Sequence, residues 1–204
     1  MSRESVTEDA GARRRAAALA GHEGDASAAR AAAADPDASV RATALGALER
    51  LGSLTHGDLV TALADPALVV RRRACEAAAR FPGDGPPSLL GALADANPTL
   101  VEVAAWASGE RHPPEPGTVA ALADLATEHS DALVREAAVA ALGAIGDDAG
   151  RPAVLAALDD KATVRRRAVI ALAAFDGDDV DAALAKARED RDWQVRQAAE
   201  DLSD

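Results

Sequence analysis

The chain has 204 residues, is 49% hydrophobic but only 2% aromatic, and carries a formal net charge of -12 at pH 7. So much apolar surface excludes global disorder, and the acidic balance excludes general affinity for a nucleic-acid backbone, which calls for a basic surface. The single cysteine, Cys75, excludes an internal disulfide, and no run of about 18 apolar residues offers a membrane span. The polar, acidic start over residues 1–11 is not a secretion signal, so a cytoplasmic location is expected.

Ala dominates the apolar set and Tyr is absent. That composition suits closely spaced helices, not a sandwich or barrel built on β-branched and aromatic side chains. In chain order, residues 1–11 are expected to be disordered or frayed, and a folded array to occupy 12–204. A truncated unit opens the array with Ala12-Arg13-Arg14-Arg15-Ala16. A short apolar helix over 26–34 then leads into Asp35-Pro36-Asp37-Ala38-Ser39-Val40-Arg41 and a longer helix. The same succession returns at 59–63 before Asp65-Pro66 and Val70-Arg71, and at 89–93 before Asp95-Ala96-Asn97-Pro98 and Val101-Glu102. It returns again at 119–126 before Val134-Arg135, at 154–158 before Asp159 and Val164-Arg165, and at 180–187 before Asp190 and Val195-Arg196. Each unit therefore reads as a short helix A, a tight Asp turn and a longer helix B. Residues 81–87 read as a plain inter-repeat loop rich in turn formers, whereas the Pro-rich stretch 111–117 predicts a kink or hinge.

Numbering each unit from its Val as position 0, the anchors at 40, 70, 101, 134, 164 and 195 are 30, 31, 33, 30 and 31 residues apart. A period of this size is the signature of a stacked repeat array. Position +4 is Ala in every unit (Ala44, Ala74, Ala105, Ala138, Ala168, Ala199), and apolar residues at 0, +4, +8 and +11 form one stripe of a helix. The Asp at -5 is expected to cap helix B, with Pro36 and Pro66 on the first helical position. The predicted fold is all-α, a right-handed α-α superhelix of about six and a half antiparallel helix pairs.

The Asp-Pro turn, the Val-Arg pair, the Ala at +4 and the run Ala141-Leu142-Gly143-Ala144-Ile145-Gly146 resemble HEAT-like repeats of the kind also found in phycobilisome lyases. The resemblance covers 12–204 and implies the solenoid fold. It implies little about function, because such repeats serve scaffolds, chromophore lyases, metal hydroxylases and DNA glycosylases.

Position +1 is Arg41, Arg71, Arg135, Arg165 and Arg196, with Glu102 the exception. An Arg fork matches a carboxylate, so these arginines are expected to form an inter-repeat ladder with Asp35, Asp65, Asp95, Asp159 and Asp190, broken at Glu102. His22-Glu23 resembles the His-Glu pairs of the hydroxylase branch, but it occurs once, and His56, His112 and His129 fall in separate turns. A metal site needs three or more converging ligands, so none is expected. Cys75 reads as a small core residue, and Trp106 and Trp193 as core fillers or contact points. No Ser-His-Asp set or phosphate loop is present, so no catalytic centre and no cofactor are expected.

The triplets 13–15, 71–73 and 165–167 are the basic clusters, yet position +2 elsewhere is Ala42, Val103, Glu136 or Gln197, which leaves no continuous basic track for DNA. What remains is the outward side of the B helices, at +2, +6 and +9 or +10. There Val103, Ala107, Ala140 and Ile170 predict an apolar strip flanked by Arg72, Arg166 and Glu136. The reading that follows is a non-catalytic scaffold that binds a helix or extended segment of another protein along this strip. The alternative is an accessory to a lyase or other enzyme, handling a cofactor or a modified protein; DNA binding comes third.

Overall fold

The structure is a computed structural model that describes residues 3–82 and 85–202, with the backbone alone for 3–8. Among the described residues there are thirteen α-helices, a few short 3-10 turns and no strand. None of these helices is long and apolar enough to cross a membrane. The chain divides into two compact units at Pro87/Ser88. That boundary lies in the loop expected to be a plain connection, of which residues 83 and 84 lie outside the described residues. The stretch expected to act as a hinge, 111–117, lies within the second unit.

The first unit contains α1 (Arg3–Glu23), α2 (Ala26–Ala32), α3 (Ala38–Arg50), α4 (His56–Leu63) and α5 (Leu68–Ala79). Residues 1 and 2 of the segment expected to fray lie outside the described residues, and from Arg3 the backbone runs in α1. Helices α1, α3 and α5 are B helices and pack in sequence, α1 on α3 and α3 on α5. Helices α2 and α4 form the second layer, α2 against both α1 and α3, and α4 against α5. The second unit contains α6 (Leu90–Leu93), α7 (Pro98–Gly109), α8 (Thr118–Glu128), α9 (Ala132–Ile145), α10 (Arg151–Ala156), α11 (Ala162–Ala171), α12 (Asp178–Ala187) and α13 (Trp193–Asp201). Its B layer runs α7, α9, α11, α13, each helix packed on the next, with α6, α8, α10 and α12 as the A layer.

The helix starts explain the regularity. Each B helix after the first has its N-cap three residues before the anchor: Asp37, Ala67, Asn97, Asp131, Lys161 and Asp192. Where that residue is Asp or Asn, its side chain accepts from the backbone N–H two residues on, as Asp37 does from Ser39 at 2.8 Å and Asp192 from Gln194 at 2.9 Å. The Asp at -5, expected to be the cap, does something else. Its carboxylate accepts the backbone N–H of the cap residue itself, at 2.8 Å for Asp35, Asp65 and Asp95, closing an Asx turn before the helix begins. Pro36 and Pro66 accordingly sit in the turn, while Pro98 does occupy the first helical turn of α7.

The cap spacing also corrects the register of the third repeat. Counting three residues from Asn97 makes Leu100 the anchor, not Val101. Position +4 is then Ala104 and +7 is Ala107, both fully buried. In this register the residues at 0 (Val40, Val70, Leu100, Val134, Val164, Val195) are all within 2% of complete burial, and every Ala at +4 is completely buried. A Leu at +8, as at Leu48, Leu142 and Leu172, is also buried, a gain of about 2 kcal/mol each. The small residues set how closely neighbouring B helices approach. A Cβ added to Gly143 would lie 2.6 Å from Cβ of Ala171, and one on Gly109 would lie 2.9 Å from Cα of Ala141.

Candidate functional site

The most regular polar feature is the Arg ladder. Each Arg at +1 donates from Nη1 to the carbonyls of its own turn: Arg41 to Asp35 at 2.9 Å, Arg71 to Asp65 at 2.9 Å, Arg135 to His129 at 2.7 Å, Arg165 to Asp160 at 2.8 Å, and Arg196 to Asp190 at 2.7 Å. For Arg13, Arg41, Arg135 and Arg165 the Nε and Nη2 edge then forks onto the carboxylate of the following turn. Arg41 holds Asp65 with both bonds at 2.8 Å, Arg165 holds Asp190 at 2.9 and 2.7 Å, and Arg13 of the truncated unit holds Asp35 at 2.7 and 3.1 Å. Arg135 forks onto Asp160 at 2.5 and 2.7 Å, not onto Asp159. Asp159 is exposed and meets Lys186 instead, at 3.3 Å. The turn before α11 has Asp160 accepting from the N–H of Lys161, one residue on, so its carboxylate enters the ladder one position late.

Electrostatics follow the geometry. The Arg forks hold the carboxyls of Asp35, Asp65, Asp160 and Asp190 below the ordinary carboxylate range; burial opposes this and a backbone N–H adds to it. The partner carboxylates in turn raise Arg13, Arg41, Arg135 and Arg165.

With Leu100 as anchor, position +1 of the third repeat is Val101, which is buried, and Glu102 drops out of the ladder series altogether. The next turn is changed to match, since its -5 residue is His129. There the ring Nδ1 accepts the N–H of Asp131 at 3.1 Å, replacing the Asx turn. The apolar +1 of the third repeat is thus followed by a turn with no carboxylate at position -5.

The outward strip of the second unit is where the register correction has its largest effect. Ala107, expected on that strip, is fully buried at +7. Val103 moves to +3 and is half-buried. The outward residue of α7 is Trp106, 38% exposed, a position that the spacing from Asn97 to Leu100 would have revealed. On α9 and α11 the expected residues stay on the strip. Ala140, Gly143 and Ala144 line one side of a groove of about 350 Å³, with Ile170, Ala173 and Ala174 on the other. A second groove, between α11 and α13, is lined by Arg166, Ile170, Trp193, Gln197 and Leu202. Ile170 therefore forms the wall shared by the two grooves and is 40% exposed, while Trp193 is 64% exposed. Glu136 lies 3.5 Å from Arg167 at the rim. Arg72 belongs to the first unit, where it lines a shallow groove with Arg14, Ser39, Thr43 and Val69.

Cys75 is a free, fully buried thiol in the core. No group of three or more His, Cys, Asp or Glu side chains is arranged to hold a metal ion among the described residues. His22 and Glu23 are both exposed at the end of α1.

A family model described as HEAT repeats matches residues 86–170 and 119–203, which together span more than half of the chain. Among solved structures, that of YibA from Escherichia coli is 17% identical with a TM-score of 0.66, over 91% of this chain and 70% of that one. Human deoxyhypusine hydroxylase, in complex with glycerol, is 22% identical with a TM-score of 0.50, over 94% and 77%. A designed armadillo repeat protein in complex with the peptide (KR)4 is 19% identical with a TM-score of 0.58, over 88% and 91%. At these identities the likeness is one of fold. No curated protein sequence matches the chain. The repeating turn, the stacked helix pairs and the family match lead to one conclusion: this chain belongs to the HEAT repeat family.

Proposed function

We propose that this protein is a non-catalytic cytoplasmic scaffold that binds a helix or extended segment of another protein along the outward face of α9, α11 and α13. The observation that carries this reading is the pair of grooves sharing Ile170 as a wall, with Trp193 exposed beside it and Arg166 at the rim. Apolar side chains left in water between charged ones are what a partner surface requires, and an exposed Trp is a common anchor of binding energy. The designed armadillo repeat protein of similar fold was solved in complex with a peptide, which supports this reading. Arg41, Arg135 and Arg165 serve the stacking, since their forks are occupied by the neighbouring turns.

The test is recovery of partners from the native cell with the full chain as bait. Ile170→Asp together with Trp193→Asp is expected to abolish a partner retained by the parent chain while leaving the melting temperature nearly unchanged. Unchanged recovery by the folded variant rejects the surface. The resemblance to phycobilisome lyases, and the hydroxylase among the structural neighbours, make an enzyme or lyase accessory the competing reading. Native mass spectrometry separates the two, because a metal or pigment carried by the purified protein would favour the accessory.

A further inference from the structure

The first unit carries a basic groove that the ladder does not use. It lies across α3, between α1 and α5, has a volume of about 320 Å³, and is walled by Arg14, Val69, Arg72, Arg73 and Glu76 over a floor that includes Ala42. Two contacts place α1 in the repeat: Arg13 forks onto Asp35 as Arg41 does onto Asp65, and Gly21 packs against Ala47 as Gly143 does against Ala171. Arg14 is therefore at +2, the position held by Ala42 on α3 and Arg72 on α5. Two guanidiniums thus flank a small side chain.

Neither of these two charges is answered within the protein. Arg73 pairs with Glu49 on α3 and with Glu76 on its own helix, and so occupies the one carboxylate that lines the groove. Arg14 is exposed, Arg72 is half-buried, and neither has a carboxylate partner among the described residues. Nε of Arg72 is buried with no hydrogen-bond partner. A cation partly withdrawn from water and left unpaired is unfavourable, and an incoming anion offsets that cost. The hydroxyls in the groove are already engaged, Ser39 donating to Asp37 and Thr43 to the carbonyl of Ser39, so the arginines are its free donors. The arrangement belongs to the first unit alone. With the third repeat anchored on Leu100, position +2 of the second unit reads Glu102, Glu136, Arg166 and Gln197.

Charge selects an anionic partner, and the rest of the groove selects its class. Two unpaired arginines are too few to track a nucleic-acid backbone, and no aromatic side chain lines the groove for bases to stack on. Val69, 48% exposed, instead offers an apolar wall to side-chain methylenes. Stacked helices lie about 8–10 Å apart, so α1 and α5 are roughly 18 Å apart across α3, the span of about six residues of extended chain. We propose that this groove binds an acidic segment of another protein, laid across α3 in extended form with carboxylates on Arg14 and Arg72, independently of the grooves beside Ile170. The net charge of -12 repels such a segment at long range. At about 0.1 M salt, however, the Debye length is about 10 Å, which leaves the nearby arginines to dominate.

Fluorescence anisotropy of labelled hexaglutamate with the full chain, in about 0.1 M salt, tests this. The peptide is expected to bind and to be released at about 1 M salt. Arg14→Glu and Arg72→Glu are each expected to weaken binding about tenfold. Arg191→Glu makes the same change of net charge at an exposed site in the second unit, and is expected to leave binding unchanged. Circular dichroism checks folding, and the exposure of Arg14 makes its variant the one least able to disturb it. No binding of hexaglutamate, undiminished binding by folded Arg14→Glu, an equal loss in Arg191→Glu, or tighter binding of a hexathymidylate DNA strand would overturn the proposal.

Discussion

An arginine in the ladder makes two different contacts with one guanidinium, closing its own turn through Nη1 and gripping the next turn through Nε and Nη2. Lys would supply one compact charge and could not reproduce both. Arg165 is the most buried of these, at 5% exposure, and its fork holds Asp190. Arg165→Ala is expected to cost about 2 kcal/mol, the scale of hydrogen bonds to a charged partner that is left partly desolvated. For a chain of this size that lowers the melting temperature by roughly 5 °C. Arg13→Ala, where the side chain is 33% exposed, is expected to lower it less, and thermal melts of the two variants check the order. Val101 and His129 show the same logic inverted, since the repeat that lacks an Arg at +1 is followed by a turn that lacks an Asp at -5.

At the scale of the helix, the spacing of B helices is set by glycine and alanine. Gly143 on α9 meets both Cα and Cβ of Ala171 on α11, so a methyl there must displace backbone. Gly143→Ala gains about 1 kcal/mol of helix propensity but incurs an overpacking cost of about 1–3 kcal/mol. The expected result is a lower melting temperature. Gly91 on α6 has nothing within 4 Å of the position its Cβ would take. Gly91→Ala is therefore expected to raise the melting temperature, and the opposite signs of the two melts are the check. The stripe at 0 and +4 made the helices legible from sequence, but the third repeat was misplaced by one residue. The reason is local: Leu100 and Val101 are adjacent and both apolar, and Ala104 and Ala105 both satisfy a small-residue rule. Only the cap at Asn97 chooses between them.

Across the whole molecule, the ladder ties stability to acidity. Asp35, Asp65, Asp160 and Asp190 all titrate below the ordinary carboxylate value, so the unfolded chain binds protons that the folded one refuses. Their contribution is complete above the unfolded value of about 3.9 and is lost as pH falls through the depressed folded values. The melting temperature is expected to be nearly flat from neutral pH to about 5 and to drop steeply below about 4. A melting temperature that holds steady into that acid range would show that the forks contribute nothing to stability.

The sequence by itself determined the repeating unit, the all-helical class and the Arg–Asp pairing between turns, because a period, a buried stripe and a charge pattern are all properties of residue order. Three things were decided only in three dimensions. Asp160 replaces Asp159, because the backbone before α11 turns one residue late. Trp106 faces outward and Ala107 inward, because one residue of register rotates a helix by about 100°. The grooves beside Ile170 exist because the helices lining them are far apart in sequence and adjacent only once stacked.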